Sequence, residues 1–166
     1  MWQTNHIAAL LDQHGYQVEP VIVETDGDKD QVSPLHQIGG QGIFVKEVQT
    51  CVIHGRADFA VHSLKDLPSD TPSELVLAAV PDRGDPRDAL VGSTLEDLKP
   101  EARVATGSIR RKSQLAEIRP DISFYELRGN IHTRLEKAKS FDAIIIAATA
   151  LERLRLIPDV IEILEA

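Results

Sequence analysis

Residues 103–118 read RVATGSIRRKSQLAEI, a short β-rich run that leads directly into a helical stretch. Residues 103–106 have the composition of a strand, and a helix is predicted to follow from Ser108 to Ile118, where Pro120 ends it. A strand followed at once by a helix is the repeating unit of α/β proteins. This stretch therefore predicts an α/β fold.

The same pattern recurs towards the carboxyl end. Residues 122–127 predict a strand that leads through Arg128 and Gly129 into a helix capped by Asn130. Residues 141–147 predict a further strand before a last helical stretch rich in leucine and arginine. If these strands are parallel neighbours, their carboxyl ends share one edge of a sheet, where α/β proteins bind ligands.

The first half of the chain has the same alternation, with weaker signals. The elements predicted there are a helix around residues 7–11 that closes near Gly15, a strand at 18–24, a long polar loop at 25–41, a helix from Gly42 to Gly55, and strands at 57–62 and 75–80. Residues 82–88 are rich in charge and contain glycine and proline. They predict a crossover between a first domain at residues 1–81 and a second at 89–166, in which residues 93–96 resemble a capping box.

Composition excludes several classes of protein. Of the 166 residues 42% are apolar and 27% charged, which is typical of globular chains. The sequence contains no run of eighteen apolar residues and no amino-terminal secretory signal, so neither a membrane span nor export is predicted. The single cysteine, Cys51, cannot form an internal disulfide and fits a reducing compartment, where it is interpreted as a core residue. A net charge of −8 argues against a nucleic-acid partner.

The basic residues are concentrated in one region. Residues 103–139 hold nine Lys or Arg and four Asp or Glu, whereas the rest of the chain is strongly acidic. Two predicted strand-to-helix junctions lie inside this region, at 106–111 and at 128–134. Helix amino termini attract anions, and the planar guanidinium of arginine suits a carboxylate. The junctions favour a polyanion site, although surface ion pairs would also account for any single arginine.

Other candidate residues are weaker on spacing alone. Asp66 follows a predicted strand and precedes Pro68, a position where aspartate is usually a turn former or a helix cap. His62 at the end of that strand is more often a satisfied core histidine than an acid or a base. No spacing typical of metal ligands or of a dinucleotide site occurs, so neither a metal nor a nucleotide is predicted.

Four motifs in order make the prediction specific. The sequences GGQGIFVKE at 39–47, HSLKDLP at 62–68, DPRDA at 85–89 and LRGN at 127–130 resemble successive motifs of the porphobilinogen deaminase family, and residues 106–111 and 142–145 also fit. The resemblance covers nearly the whole chain. It implies a hydroxymethylbilane synthase, a transferase that joins four porphobilinogen units head to tail and releases ammonia at each addition.

The resemblance also implies a fold, a cofactor and a setting. The fold would be two type II periplasmic-binding-protein-like domains, both incomplete in this chain, with the family's third α+β domain absent. A dipyrromethane cofactor would prime the growing pyrrole chain, bound to a cysteine that this chain lacks, so we expect the isolated chain to be inactive. The complete enzyme is expected to be a cytoplasmic monomer of haem biosynthesis without nucleic-acid or membrane partners.

The resemblance assigns individual roles to residues of this chain. Asp66 becomes the catalytic residue, because one carboxylate can accept pyrrole N–H bonds and stabilise the cation left by ammonia. Phe44 would pack on the cofactor, and Gln3 is a weaker contact. The residues implied to bind the acetate and propionate groups of the pyrroles are Ser63, Lys65, Thr106, Ser108, Arg110, Arg111, Arg128, Gly129 and Arg134.

Some features depart from the family pattern. The opening strand is not found, Gln37 and Gln41 stand where lysines are frequent, Asp26 stands where arginine is common, and Gly107 replaces a frequent serine. Two alternatives therefore stay open. One is a non-enzymatic periplasmic-binding-like module for a small carboxylate ligand, and the other is a degenerate product without activity.

Overall fold

The computed structural model describes residues 1–24 and 45–165. Their contacts divide the chain into two compact units, Met1–Pro81 and Asp82–Ala166. The loop predicted at residues 25–41, the predicted start of the second helix at Gly42, and Phe44 lie outside the described residues, as do Asp26, Gln37 and Gln41.

The described residues of the first unit form two helices and one short turn of 3₁₀ helix. Helix α1 spans Trp2–Asp12, helix α2 spans Lys46–Ile53, and the 3₁₀ turn spans Leu64–Asp66. Gly55 ends α2 with a φ of +67°, and the N–H of Arg56 then donates to the carbonyl of Cys51 at 2.9 Å. Only glycine adopts such a φ without cost, and the bond satisfies a carbonyl at the helix end. The predicted first helix and the predicted end of the second are confirmed.

The three strands predicted in the first unit are wrong. Residues 18–24, 57–62 and 75–80 have strand-like composition, but none of them is assigned to a strand in the described part of the chain. Residues 18–23 and 57–61 line one cavity of about 540 Å³, and the described residues form no backbone ladder across it. Residues 75–80 are not buried, since Val76 is 81% exposed. Composition indicates which residues are compatible with a strand. A strand also needs a neighbouring strand that pairs with it in register.

The second unit is built on a five-stranded mixed sheet. Its elements are β1 (Asp88–Val91), β2 (Arg103–Ala105), α3 (Ile109–Ile118), β3 (Ser123–Tyr125), α4 (Ile131–Ala138), β4 (Ala143–Ala147), α5 (Ala148–Leu154) and β5 (Ile161–Leu164). The strand order is β3-β2-β4-β1-β5. β2 pairs in parallel with β3 and β4, whereas β1 pairs antiparallel with β4 and β5. The predicted α/β class is confirmed, and so are the two strand-to-helix units around residues 103–118 and 122–138.

Apolar side chains cover both faces of this sheet. β4 has the sequence AIIIA, and its first four residues are buried, as expected for a central strand covered on two sides. Ile144 and Ile146 face one core cluster, to which α4 and α5 contribute, and Ile145 faces the other, to which α3 contributes Leu115. Burial on both faces fixes the register of β4, because a slip of one residue would exchange the two clusters.

Two strands of the second unit were not predicted, and one cap was placed wrongly. β1 begins at Asp88, the last residue of the predicted crossover, and β5 follows α5 within the stretch that was predicted to be helical. Residues 93–96 do not start a helix. The hydroxyl of Thr94 instead accepts a bond from the N–H of Asp97 at 3.1 Å and closes a single turn. The capping pattern is therefore displaced by one residue from its predicted position.

Within the described residues, no helix is both long enough and apolar enough to cross a lipid bilayer.

Candidate functional site

The two basic junctions of the second unit lie at the same edge of the sheet. β2 leads into α3 and β3 leads into α4, and the two strands are parallel neighbours. Both helices therefore begin at the carboxyl ends of adjacent strands. Free N–H groups at the two helix starts are favourable for anions at this edge.

The first junction holds Thr106, Ser108, Arg110 and Arg111. Thr106 is buried, and its hydroxyl accepts a bond from the N–H of Ser108 at 3.3 Å. Ser108 in turn caps α3 by accepting from the N–H of Arg111 at 3.5 Å. The two hydroxyls thus stabilise the turn, and the arginines follow within the first turn of the helix.

The second junction holds Arg128, Gly129 and Arg134. Gly129 has a φ of +116°, and a Cβ at this position would lie 2.8 Å from the side chain of Thr133. Only glycine fits, because both the backbone conformation and the space exclude a side chain. Asn130 caps α4 as predicted, and the Nε of Arg134 donates to the carbonyl of Gly129 at 2.7 Å. The junction therefore fixes the position of the Arg134 guanidinium.

Arginines from both junctions lie close enough to interact electrostatically. Burial lowers the pKa of Arg134, and the positive charges of Arg111 and Arg128 lower it further. An anion placed among the three guanidinium groups would relieve this repulsion. The predicted convergence of basic residues is therefore present in the second unit.

One carboxylate contacts the cluster. Asp88 accepts from the Nε of Arg111 at 2.8 Å and from a terminal nitrogen of Arg110 at 2.9 Å. Its side chain is 11% exposed. Asp88 was predicted to lie in the crossover and was given no role in the site.

The remaining predicted residues belong to the first unit. Ser63 donates its hydroxyl proton to the side-chain oxygen of Gln3 at 2.8 Å, which joins α1 to the segment before the 3₁₀ turn. Lys65 and Asp66 are exposed, and the N–H of Asp66 donates to the carbonyl of Ser63 at 2.9 Å. The structure thus brings Gln3 and Ser63 together and presents the Asp66 carboxylate to solvent. The prediction that a strand precedes Asp66 is wrong.

His62 lies next to this segment and is partly buried. Burial lowers the pKa of its imidazole, and the negative charge of Asp66 opposes that effect only in part. Its Nε2 atom is buried and has no hydrogen-bond partner among the described residues. The neutral form is therefore favoured in the folded chain.

We expect this histidine to make stability depend on pH. Because the folded pKa lies below the ordinary value of 6.5, the unfolded chain binds more protons between the two pKa values. The contribution of His62 to stability is present above pH 6.5 and is lost as the pH falls through the folded pKa. Urea unfolding at about pH 7.5 and about pH 5 should show a smaller loss of stability in His62→Gln than in the unsubstituted chain. An equal loss in His62→Gln would contradict this prediction, and His54→Gln, at an exposed histidine, is the control.

Comparison with known proteins identifies the family. The family model described as porphobilinogen deaminase, dipyromethane cofactor binding domain, matches residues 1–166. The chain belongs to the porphobilinogen deaminase family. It is 48% identical over 165 residues to the porphobilinogen deaminase of a Nitratiruptor species, a match that covers 96% of this chain and 53% of that relative. It is 49% identical over 164 residues to the chloroplastic porphobilinogen deaminase of Euglena gracilis, covering 93% of this chain and 34% of that relative.

A third relative matches over a similar share of its length. The porphobilinogen deaminase of Sulfurimonas denitrificans is 44% identical over 164 residues, and the match covers 95% of this chain and 52% of that relative. The chain thus spans about half the length of the first relatives it matches.

The described residues fit the acidic groups of a dipyrromethane cofactor. The guanidinium groups of Arg111 and Arg134 can donate to carboxylates, and both are held by hydrogen bonds within the second unit. Cys51 does not fit covalent attachment, because it is 2% exposed within α2. It is a core residue of the first unit, in agreement with its interpretation from sequence.

Proposed function

We propose that the chain is the cofactor- and substrate-binding part of a hydroxymethylbilane synthase, which condenses four porphobilinogen units head to tail and releases ammonia at each step. The observation that supports this function most directly is the gathering of Arg111, Arg128 and Arg134 at one edge of the second unit. Each porphobilinogen carries an acetate and a propionate group, so a growing pyrrole chain is a polyanion that such a cluster suits.

Residues in each unit have a proposed role. The arginines and the helix amino termini of α3 and α4 would bind and orient the carboxylates of the pyrroles. Thr106, Ser108 and Gly129 hold the two junctions in the required shape. Asp66, with Lys65 beside it, would accept hydrogen bonds from pyrrole N–H groups and stabilise the positive charge that develops as ammonia leaves. When bound, a dipyrromethane cofactor supplies the primer to which units are added.

The domain organisation is part of the same proposal. We infer that residues 1–81 and 89–166 belong to the first two domains of the family, each of the type II periplasmic-binding plan, joined by residues 82–88. The parallel strands β3, β2 and β4 next to the antiparallel β1 support this assignment for the second domain. The proposed setting is a cytoplasmic, monomeric enzyme.

Calorimetric titration with porphobilinogen tests the function. The unsubstituted chain is expected to bind porphobilinogen and to bind it more weakly at higher salt, because the contacts are charge-assisted. Arg134→Gln is expected to weaken binding about tenfold, since it removes one guanidinium–carboxylate contact. The diester of porphobilinogen, which lacks both negative charges, should bind much more weakly than the acid.

The matched control removes an arginine elsewhere in the second unit. Arg155 is exposed at the end of α5, so Arg155→Gln lowers the net charge by the same amount without touching the junctions. Equal weakening by both substitutions would mean that porphobilinogen responds only to overall charge. Tight binding of citrate with none of porphobilinogen would instead favour a module for small carboxylates.

A further inference from the structure

The direction of β1 places Asp88 at the edge where the two junctions lie. β1 runs antiparallel to β4, so its first residue, Asp88, pairs with Ala147, the last residue of β4. The parallel strands bring their carboxyl ends to this edge, and the antiparallel strand brings its amino end there. A residue of β1 thus lies beside helices that follow other strands.

Asp88 holds two arginines in different ways. Both of its oxygens are used, one by the Nε of Arg111 and the other by a terminal nitrogen of Arg110. The Arg111 side chain is only 15% exposed, whereas that of Arg110 is 56% exposed. The inner arginine is therefore held firmly, and the outer one is partly in water, where an ion pair is weak.

Arg111 and Arg134 are tethered in the same way. Each donates its Nε proton within the unit, Arg111 to Asp88 and Arg134 to the carbonyl of Gly129. No other hydrogen bond of either guanidinium is found in the part of the chain that the structure describes. The two terminal nitrogens of each group, which can form a bidentate pair with a carboxylate, are therefore available.

We propose that Asp88 is a positioning residue of the carboxylate site. By holding Arg111 through Nε, it keeps the terminal nitrogens directed towards a ligand and offsets part of the repulsion among the gathered arginines. It does not itself contact the ligand. This inference deepens the proposed function, since the ligand carboxylates are those of porphobilinogen.

A positioning role and a purely electrostatic role of Asp88 predict opposite changes in anion binding when its charge is removed. Removing a negative charge beside an anion site should strengthen anion binding if Asp88 acts only through its charge. If Asp88 positions Arg111, removing that charge should weaken binding, because a mobile guanidinium loses side-chain entropy when the ligand binds. Asp88→Asn preserves the shape of the side chain and separates the two possibilities.

The experiment uses the 166-residue chain with two probes, porphobilinogen and citrate, and one spectroscopic signal. Asp88→Asn is expected to bind the carboxylate probes about tenfold more weakly, as the loss of one charge-assisted contact predicts. Without any ligand, the Nε–H resonance of Arg111 in a ¹⁵N spectrum should be sharp in the unsubstituted chain and broadened by exchange with water in Asp88→Asn. Asp85→Asn is the control, because Asp85 forms a similar pair with Arg87 at 2.7 Å in the same segment.

Each result decides between the two roles of Asp88. Weaker binding and loss of the Arg111 signal in Asp88→Asn, with neither change in Asp85→Asn, support the positioning role. Unchanged or tighter binding of both probes by folded Asp88→Asn overturns it, and so does failure of both probes to bind the unsubstituted chain. If citrate binds and porphobilinogen does not, the proposed function fails, and the citrate titration of Asp88→Asn still decides the role of Asp88. If Asp88→Asn does not fold, Asp88→Glu takes its place. Binding of the probes and a sharp Arg111 Nε–H resonance in Asp88→Glu support the positioning role. Tighter binding by this variant overturns it.

Discussion

Asp66→Ala is expected to lower the turnover of porphobilinogen by about 10²–10⁴-fold, the range typical of a lost acid–base or charge-stabilising group. Asp66 ends the 3₁₀ turn Leu64–Asp66, and its side chain is exposed to solvent. Among the described residues, its one hydrogen bond is that of the backbone N–H, which donates to the carbonyl of Ser63 at 2.9 Å. Alanine keeps that bond, so the loss should fall on the chemistry and leave the fold intact.

The measurement is turnover by a fusion of the length of the family's curated members. We would join this chain to the part of the Nitratiruptor relative that lies outside the match and follow porphobilinogen consumption together with hydroxymethylbilane formation. Asp70→Ala is the matched control, because Asp70 is an exposed aspartate of the same segment with no proposed role. Near-normal turnover in Asp66→Ala would remove this carboxylate from the mechanism. Equal loss in both variants would mean that the segment matters through its structure.

Local signals predicted the second unit well because its elements are coded locally. Asn130 caps α4 as predicted, and Pro120 follows the end of α3 at Ile118, where that helix was predicted to stop. A cap is decided by a few neighbouring residues, so it can be inferred from the sequence. The two basic junctions followed from the same signals, and the pairing of β2 with β3 brought them to one edge.

The failures concern features that depend on distant residues. β1 and β5 pair with each other, and β1 also pairs with β4, more than fifty positions away along the chain. The residues near Asp88 in sequence do not predict that pairing. The position of Asp88 beside Arg111 could therefore not be inferred from spacing. The reverse error occurred in the described part of the first unit, where residues with strand-like composition are not assigned to strands. Pairing is a tertiary property, and composition alone does not contain it.

Ile144→Ala should cause the largest loss of stability of any single substitution considered for this chain. Ile144 lies in β4, is fully buried, and pairs with Val91 on one side and Ala105 on the other. Truncation to alanine removes apolar contacts and leaves a cavity that the paired strands cannot close, which costs about 2–5 kcal/mol. Because small domains are stable by only about 5–15 kcal/mol, the free energy of unfolding should fall by a large fraction.

Urea unfolding monitored by circular dichroism measures this loss. Ile161→Ala is the matched control, since Ile161 has the same side chain in the same sheet but is 39% exposed on the edge strand β5. Its substitution should cost less than about 1 kcal/mol, because little contact area is lost. Equal losses in the two variants would show that the assigned burial of β4 is wrong.

The same pair of variants separates stability from binding. β4 lies between β2, which leads to Arg111, and β1, which begins at Asp88. If the sheet only supports the junctions, Ile144→Ala should reduce porphobilinogen binding in proportion to the unfolded fraction, and the affinity of the folded molecules should stay unchanged. A lower affinity of the folded molecules would mean that packing beneath β4 also sets the distance between Asp88 and Arg111. Asp88→Asn should act differently from Ile144→Ala, because it should lower the affinity for porphobilinogen while the chain remains folded.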